Sequence, residues 1–217
     1  MDEPDLFAQY ARVAAALATP SRLRLVDRLS QGEQTVEELA AAAGLSISNT
    51  SRQLRVLAEA RLVEARREPP YVFYRLAGDD VLRFWLALRE LAHRQLAEVD
   101  RAVRELLAGE GLDPVSRDDL LSRIAAGEVV VLDVRPAPEY REGHIPGALS
   151  VPLEELEARL AAIPADRPVV AYCRGPYCML AVEAVQRLRA EGRDATRLQD
   201  GFPEWKLAGL PVETAKE

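Results

Sequence analysis

Over the first sixty positions the apolar residues recur at helical spacing, with polar punctuation between the runs. Leu6, Ala8, Ala11, Val13, Ala14, Ala15 and Leu17 predict a first helix, alanine-rich enough for close packing. Thr19-Pro20-Ser21 restarts the chain, Pro20 suits a first helical turn, and Leu23, Leu25, Val26 and Leu29 give a second helix its apolar face. Gln31-Gly32-Glu33 ends it. Thr35-Val36-Glu37-Glu38 reads as a capping box opening a short helix through Leu39 and Ala40 to Ala43, and Gly44 supplies the left-handed turn after it. Ser46 then caps a helix whose apolar positions are Ile47, Thr50, Leu54 and Leu57, leaving Ser48, Asn49, Ser51, Arg52 and Arg55 on the other face. Beyond it the period shortens. Residues 61–66 and 71–76 are strand-like and flank Arg67-Glu68-Pro69-Pro70, which predicts a β-hairpin with a basic tip.

From Asp79-Asp80 the pattern turns helical again. Val81, Phe84/Trp85, Leu88, Leu91/Ala92, Leu96, Val99, Val103 and Leu106 recur near seven-residue periods, predicting one long helix to about Ala108. At 1.5 Å per residue such a helix would span roughly 45 Å, its first part a dimer seam beside the first helix and its last part a stalk. Gly109-Glu110-Gly111-Leu112-Asp113-Pro114 breaks it, which sets the expected domains at 1–108 and 109–217. In the second half strands and helices alternate. A helix capped at Ser116 ends at Gly127, and Val129-Val130-Val131-Leu132 is a buried strand. Pro136 opens a helix through Tyr140, and a turn at residues 143–148 leads to a short strand at 149–151. Residues 153–163 are helical, Val169-Val170-Ala171-Tyr172 is the central strand, and a helix follows to Arg189. A last strand spans 195–198 and a short helix 202–209. This alternation predicts an α/β domain with a parallel sheet flanked by helices, after a mainly α first domain.

Composition adds limits. The 217 residues are 48% hydrophobic and 29% charged, ordinary for a globular protein, and no apolar run approaches the length of a membrane span. The acidic start, Met1-Asp2-Glu3-Pro4-Asp5, is unlike a secretory signal; with only two cysteines the expected compartment is a reducing cytoplasm. The net charge of −7 argues against indiscriminate nucleic-acid binding, so DNA contact must come from a local patch. One exists between Gly44 and Leu76, where six Arg face three Glu. A helix, a tight turn, a polar second helix and a basic hairpin together suit major-groove reading with a wing along the backbone.

Both cysteines lie in Cys173-Arg174-Gly175-Pro176-Tyr177-Cys178, where the central strand hands over to a helix. Ligands collect at the carboxyl ends of strands in such sheets. Loop amides and a helix N-terminus favour a thiolate at Cys173, which points to a reactive nucleophile over a pair of buried structural cysteines. Whether the two cysteines approach closely enough to bridge is left open by the sequence.

At this point resemblances become specific. Residues 10–90 resemble the ArsR/SmtB family of winged-helix repressors through Leu39-Ala40, Gly44-Leu45-Ser46, Asn49-Thr50-Ser51-Arg52-Gln53-Leu54-Arg55-Val56-Leu57 and Arg61-Leu62-Val63. The resemblance implies a homodimer binding double-stranded operator DNA, with Ser46, Ser48, Asn49, Ser51, Arg52, Gln53, Arg55, Arg66 and Arg67 as the expected DNA-contacting residues. Metal-sensing members carry cysteines or His and acidic clusters in this domain. Here it has no Cys and one His, His93, read as a helix surface residue, so neither a resident metal nor a cofactor is expected.

Residues 113–213 closely resemble a single rhodanese domain. The matching motifs are Leu132-Asp133-Val134-Arg135 with Glu139-Tyr140, then Gly143-His144-Ile145-Pro146-Gly147-Ala148, the loop from Cys173, and Asp200-Gly201-Phe202-Pro203-Glu204-Trp205. The resemblance implies sulfur transfer from a small sulfur donor to a thiol acceptor through Cys173, on a six-residue loop. Arg174, Gly175, Pro176, Tyr177, Asp133 and Arg135 are the expected anion-binding set, with Asp133 and Arg135 equally readable as a structural ion pair. His144 reads as part of the turn. Where thiosulfate-using members end the loop on a basic residue this chain has Cys178, the second expected catalytic residue, positioned to attack a persulfide on Cys173. Two functions remain: a repressor whose rhodanese half senses reactive sulfur or redox species, or a sulfurtransferase (less readily a thiol-dependent oxyanion reductase) tethered to a DNA-binding module. A soft-metal site at two thiolates alone is incomplete.

Overall fold

The computed structural model describes residues 3–107 and 114–215, and it divides into two compact units, Met1–Leu88 and Arg89–Glu217. The expected break at Gly109-Glu110-Gly111-Leu112-Asp113 and the helix end at Ala108 lie outside the described residues. No described helix is long and apolar enough to cross a membrane.

The first unit holds α1 (Glu3–Leu17), α2 (Pro20–Leu29), β1 (Gln34–Thr35), α3 (Val36–Ala43), α4 (Ile47–Glu59), β2 (Val63–Glu68), β3 (Tyr71–Leu76) and the start of α5 (Asp79–Gln95). Local chemistry sets the boundaries. Thr19 caps α2 with Pro20 at its first position, and Thr35 and Glu38 complete both halves of the capping box on α3. Gly44 takes φ +66° after α3, and Ser46 accepts the Asn49 N–H to start α4. Leu25, Val26, Leu39, Leu54 and Leu57 are buried together as the core. Thr50 shares that interior, whereas Ile47, expected on the apolar face, is 53% exposed, because the first helical turn lies beyond the edge of the core. The hairpin is a two-residue turn at Pro69 and Pro70, with Glu68 opposite Tyr71, so its first strand runs two residues later than the alternation alone suggests. The short β1, carried by no periodic signal, adds to the far side of β3 to give the order β1-β3-β2.

The long helix is two helices. α5 stops at Gln95 and α6 (Ala97–Leu107) begins after Leu96. The Leu96 N–H still reaches the Ala92 carbonyl, but the Val99 N–H bonds back to Leu96 in a tighter three-residue turn. Neither Gly nor Pro marks the break, and the apolar repeat continues across it, which is why periodicity misses it.

The second unit adds α7 (Arg117–Ala126), β4 (Val130–Asp133), α8 (Ala137–Glu142), β5 (Leu149–Ser150), α9 (Leu156–Arg159), β6 (Val169–Tyr172), α10 (Met179–Ala190), β7 (Ala195–Arg197) and α11 (Phe202–Leu207). Four parallel strands run in the order β5-β4-β6-β7. Alternation along β4 and β6 feeds two cores. Val130, Leu132, Val169 and Ala171 face α9 and α10; Val131, Val170 and Tyr172 face α7 and α11. The single helix expected over 153–163 is instead α9 flanked by 3₁₀ turns at Leu153–Glu155 and Leu160–Ala162. Their three-residue hydrogen bonds, Glu155 to Pro152 and Ile163 to Leu160, tighten both ends so that Leu153, Leu156 and Ile163 all reach the core.

Candidate functional site

On the first unit the candidate surface is α4 with the hairpin. Thr50, Leu54 and Leu57 anchor α4 inward, and Ser48, Arg52 and Arg55 are exposed opposite them. Ser46 is exposed too, but its hydroxyl serves the helix cap. Asn49, Ser51 and Gln53 are half-buried. The Asn49 side-chain oxygen accepts from Arg52 Nη2 at 3.0 Å and from Gln53 Nε2 at 3.1 Å, and Arg22 on α2 donates to the Gln53 oxygen at 2.9 Å. The Gln53 amide is thus engaged at both its oxygen and its nitrogen, and the Arg52 guanidinium is held by Asn49. Arg22 is a residue that sequence reasoning missed; on its own helix it reads as ordinary polar surface.

The two wing arginines differ. Arg66 is held by Glu33 at 2.6 Å and Glu68 at 2.5 Å, and its guanidinium lies 4.5 Å from the centre of the Phe73 ring. Hydrogen bonds to Glu33 and then Glu68 raise its pKa, so its charge is fixed but already answered. Arg67 is exposed and makes no ion pair among the described residues.

In the second unit the cysteine loop joins β6 to α10. Cys173 directly follows the buried strand β6 and is 1% exposed, and Cys178, half-buried, is the residue from which α10 starts. The two are bridged by a disulfide with Cα atoms 6.2 Å apart, inside the span such a bond requires. Around the bridge the loop is held by main chain. Cys178 N–H donates to Gly175 O at 3.1 Å, and Phe202 N–H donates to Cys173 O at 3.0 Å.

Gly201 makes that second bond attainable. A Cβ there would lie 2.2 Å from the Gly175 nitrogen and 2.3 Å from its Cα. Gly201→Ala is therefore expected to push the loop away, costing about 1–3 kcal/mol of stability as an overpacked contact does and slowing bridge closure. Thermal unfolding and thiol titration check it; wild-type values in both would contradict the close approach.

Arg174 turns away from solvent. Its Nε donates to the Glu139 carboxylate at 2.9 and 3.0 Å and its Nη2 at 2.5 Å, while Glu139 itself is only 7% exposed. Arg197, 8% exposed at the end of β7, points Nη1 toward the Pro176 carbonyl at 3.4 Å. Gly175, Pro176 and Tyr177 keep partial exposure.

Asp133 and Arg135 occupy no rim. Both are fully buried, with Arg135 Nε at 3.0 Å and Nη2 at 2.6 Å from Asp133 oxygens. Arg135 Nη2 also donates to Gly143 O at 2.7 Å, and its guanidinium lies over the Phe202 ring at 4.3 Å. Tyr172 OH donates to Asp133 at 2.6 Å and accepts the Ile145 N–H at 3.1 Å. Burial opposes the Arg135 charge, yet Asp133 outweighs it and the net shift is upward. The geometry is that of an interior ion pair tying β4 to the turn at Gly143. His144 belongs to the same turn, with Nδ1 2.9 Å from Tyr140 O and its ring stacked on Tyr140 at 3.7 Å.

Burial, reinforced by Asp133, pushes the Tyr172 hydroxyl well above its usual 10.0. The fold therefore holds the neutral phenol. The stability it contributes is complete below pH 10.0 and is lost as pH rises toward the higher folded value. Tyr172→Phe should flatten that alkaline decline in denaturant melts; an unchanged slope would contradict the assignment.

Two family models match the chain: "Rhodanese-like domain" over residues 116–208 and "Bacterial regulatory protein, arsR family" over residues 19–65. The HTH-type transcriptional regulator Rv0324 of Mycobacterium tuberculosis is 48% identical over 208 residues, which is 96% of this chain and 92% of that one. The chain belongs to the arsR family of bacterial regulatory proteins and carries a C-terminal rhodanese-like domain. A sulfurtransferase of Allochromatium vinosum is 32% identical over 102 residues, 46% of this regulator and 94% of that protein. A solution NMR structure of a homodimeric winged helix-turn-helix DNA-binding domain from Mycobacterium bovis is 41% identical and covers 44% of this chain and 90% of its own, with a TM-score of 0.42. In this arsR-family regulator, the structure brings Cys173, Cys178, Gly175 and Gly201 together, and it adds Glu139 and Arg197 to the loop. Among the described residues no group of three or more His, Cys, Asp or Glu is arranged to hold a metal ion.

Proposed function

We propose that this regulator represses from operator DNA as a cytoplasmic homodimer, and that sulfane sulfur delivered to Cys173 changes its grip on that DNA. The observation that carries the reading is the Cys173–Cys178 bridge across the strand-to-helix loop. The Cys173 thiolate attacks the outer sulfur of a persulfide or polysulfide; a new S–S bond forms as the donor's S–S bond breaks, and the donor leaves as a thiolate or as a polysulfide anion one sulfur shorter. The Cys178 thiolate then attacks the Cys173 sulfur. The Cys173–Cys178 bond forms, the sulfane sulfur leaves as hydrosulfide with the electron pair, and the cysteine pair is oxidised by two electrons. Arg174, engaged by Glu139, is poorly placed to hold a doubly charged donor such as thiosulfate, which favours persulfides and polysulfides. Dimer formation is supported by Leu6, Phe7, Tyr10 and Phe84, all exposed apolar side chains of α1 and α5.

The second reading, a sulfurtransferase passing sulfur from Cys173 to an external thiol, is favoured by the similarity to the Allochromatium protein. One experiment separates them: operator binding by fluorescence anisotropy for wild type and Cys173→Ser, with and without polysulfide, with intact mass read on the same samples. Release of DNA by wild type alone supports the sensor. Sulfur gain at Cys173 with unchanged DNA affinity leaves only the enzyme.

A further inference from the structure

The cysteine loop has neighbours the proposed chemistry does not use. The second compact unit begins at Arg89, so the last two turns of α5 belong with the loop. Arg89 places its guanidinium 5.6 Å from the centre of the Tyr177 ring, and Tyr177 is the residue between Pro176 and Cys178. His93, one helical turn on, meets the same ring edge-on with centroids 5.4 Å apart. Arg89 also pairs with Glu204, whose other oxygen accepts the Gly201 N–H at 3.1 Å. Gly175 leaves room for this: a Cβ there would come within 3.2 Å of Arg89 Nη1. Burial leads in raising the Tyr177 hydroxyl pKa, so the ring is held as a neutral, partly apolar surface.

The first turns of the same helix lie in a different core. Val81, Leu82 and Trp85 are partly or fully buried in the first unit, and Trp85 Nε1 donates to Asp27 on α2 at 3.3 Å. α5 is thus continuous across the boundary, its first turns counted with the first unit and its last two with the second.

We infer that Arg89 and His93 are positioning residues through which the state of the Cys173–Cys178 loop is read by α5. Closing the bridge fixes Tyr177 between two bonded cysteines, and the Arg89 and His93 contacts hold only when the ring is there. Opening the loop, or leaving a persulfide on Cys173, releases the ring and with it the end of the helix. An element whose two ends answer to different sites is the physical link that coupling requires. The inference rests on the proposed sensing function and names its route.

The test compares wild type, Arg89→Gln/His93→Leu and Arg89→Lys as full-length chains, each reduced and each bridged by a polysulfide. Intact mass reports the bridge, anisotropy reports operator affinity, and circular dichroism confirms folding. Wild type is expected to change its operator Kd at least about fivefold on bridging, the lower end of ordinary allosteric coupling. The double variant should bridge to the same extent, bind DNA when reduced as wild type does, and change by less than about twofold. Arg89→Lys, which keeps a cation over the ring and beside Glu204, should restore most of the response. A double variant that bridges and responds fully overturns this route while leaving the sensor intact. A wild type that bridges without any change in DNA affinity overturns both.

Discussion

Asp133→Ala is expected to cost the rhodanese-like domain about 3–5 kcal/mol, the usual result of leaving one partner of a buried ion pair behind. Arg135 cannot shed its proton, and with Asp133 gone a fully buried guanidinium would lose its ion-pair partner while it still faces the Gly143 carbonyl and the Tyr172 and Phe202 rings. Tyr172 would lose its acceptor in the same step. The loss propagates because Arg135 joins the end of β4 to the turn before β5, and Tyr172 immediately precedes Cys173. Urea unfolding of the two single variants and of Asp133→Ala/Arg135→Met provides the check. The double variant, which removes both charges, should recover a large part of the loss. A single variant within about 1 kcal/mol of wild type would refute the account of the pair.

Arg52→Ala/Arg55→Ala should weaken operator binding by about a hundredfold and lower the slope of log affinity against log salt by up to about two. Both guanidinium groups stand on the exposed face of α4, and Arg52 leaves the surface only to bond Asn49. The wing supplies an internal control. Arg67→Ala should reduce the salt slope more than Arg66→Ala, because Arg66 already carries Glu33 and Glu68 as counter-charges. Anisotropy titrations at several salt concentrations measure both effects. Undiminished retention of operator DNA by the double variant would remove α4 as the reading helix.

What the sequence revealed and what it hid divide by range. Signals contained within a few residues were legible: the Thr35–Glu38 capping box, the Ser46 and Ser116 caps, the left-handed glycine at 44 and the helix end at Gly127. So was the strand-to-helix setting of the two cysteines. Pairings across long stretches of chain were not. Glu139 reaches Arg174 over 35 positions and Arg22 reaches Gln53 over 31, and neither leaves a trace in local pattern. The need for glycine at position 201 follows from a backbone 26 residues away in sequence, at Gly175. The sequence leaves the Asp133–Arg135 pair open between a pocket rim and a structural ion pair, because a two-residue spacing at a strand end fits both and depth within a domain is a tertiary property.

Cys173 is buried and Cys178 only half-buried, so an incoming thiol reaches the bridge more readily at Cys178. An incoming thiol bonds to Cys178 and expels Cys173 as the free thiolate. The sulfur that received the signal is therefore the first to be restored, but the bridge cannot close again while its partner is still blocked. Recovery in this regulator would pass through a mixed disulfide on a single, identifiable side chain, and the lifetime of that adduct would set how long the chain stays deaf to the next pulse.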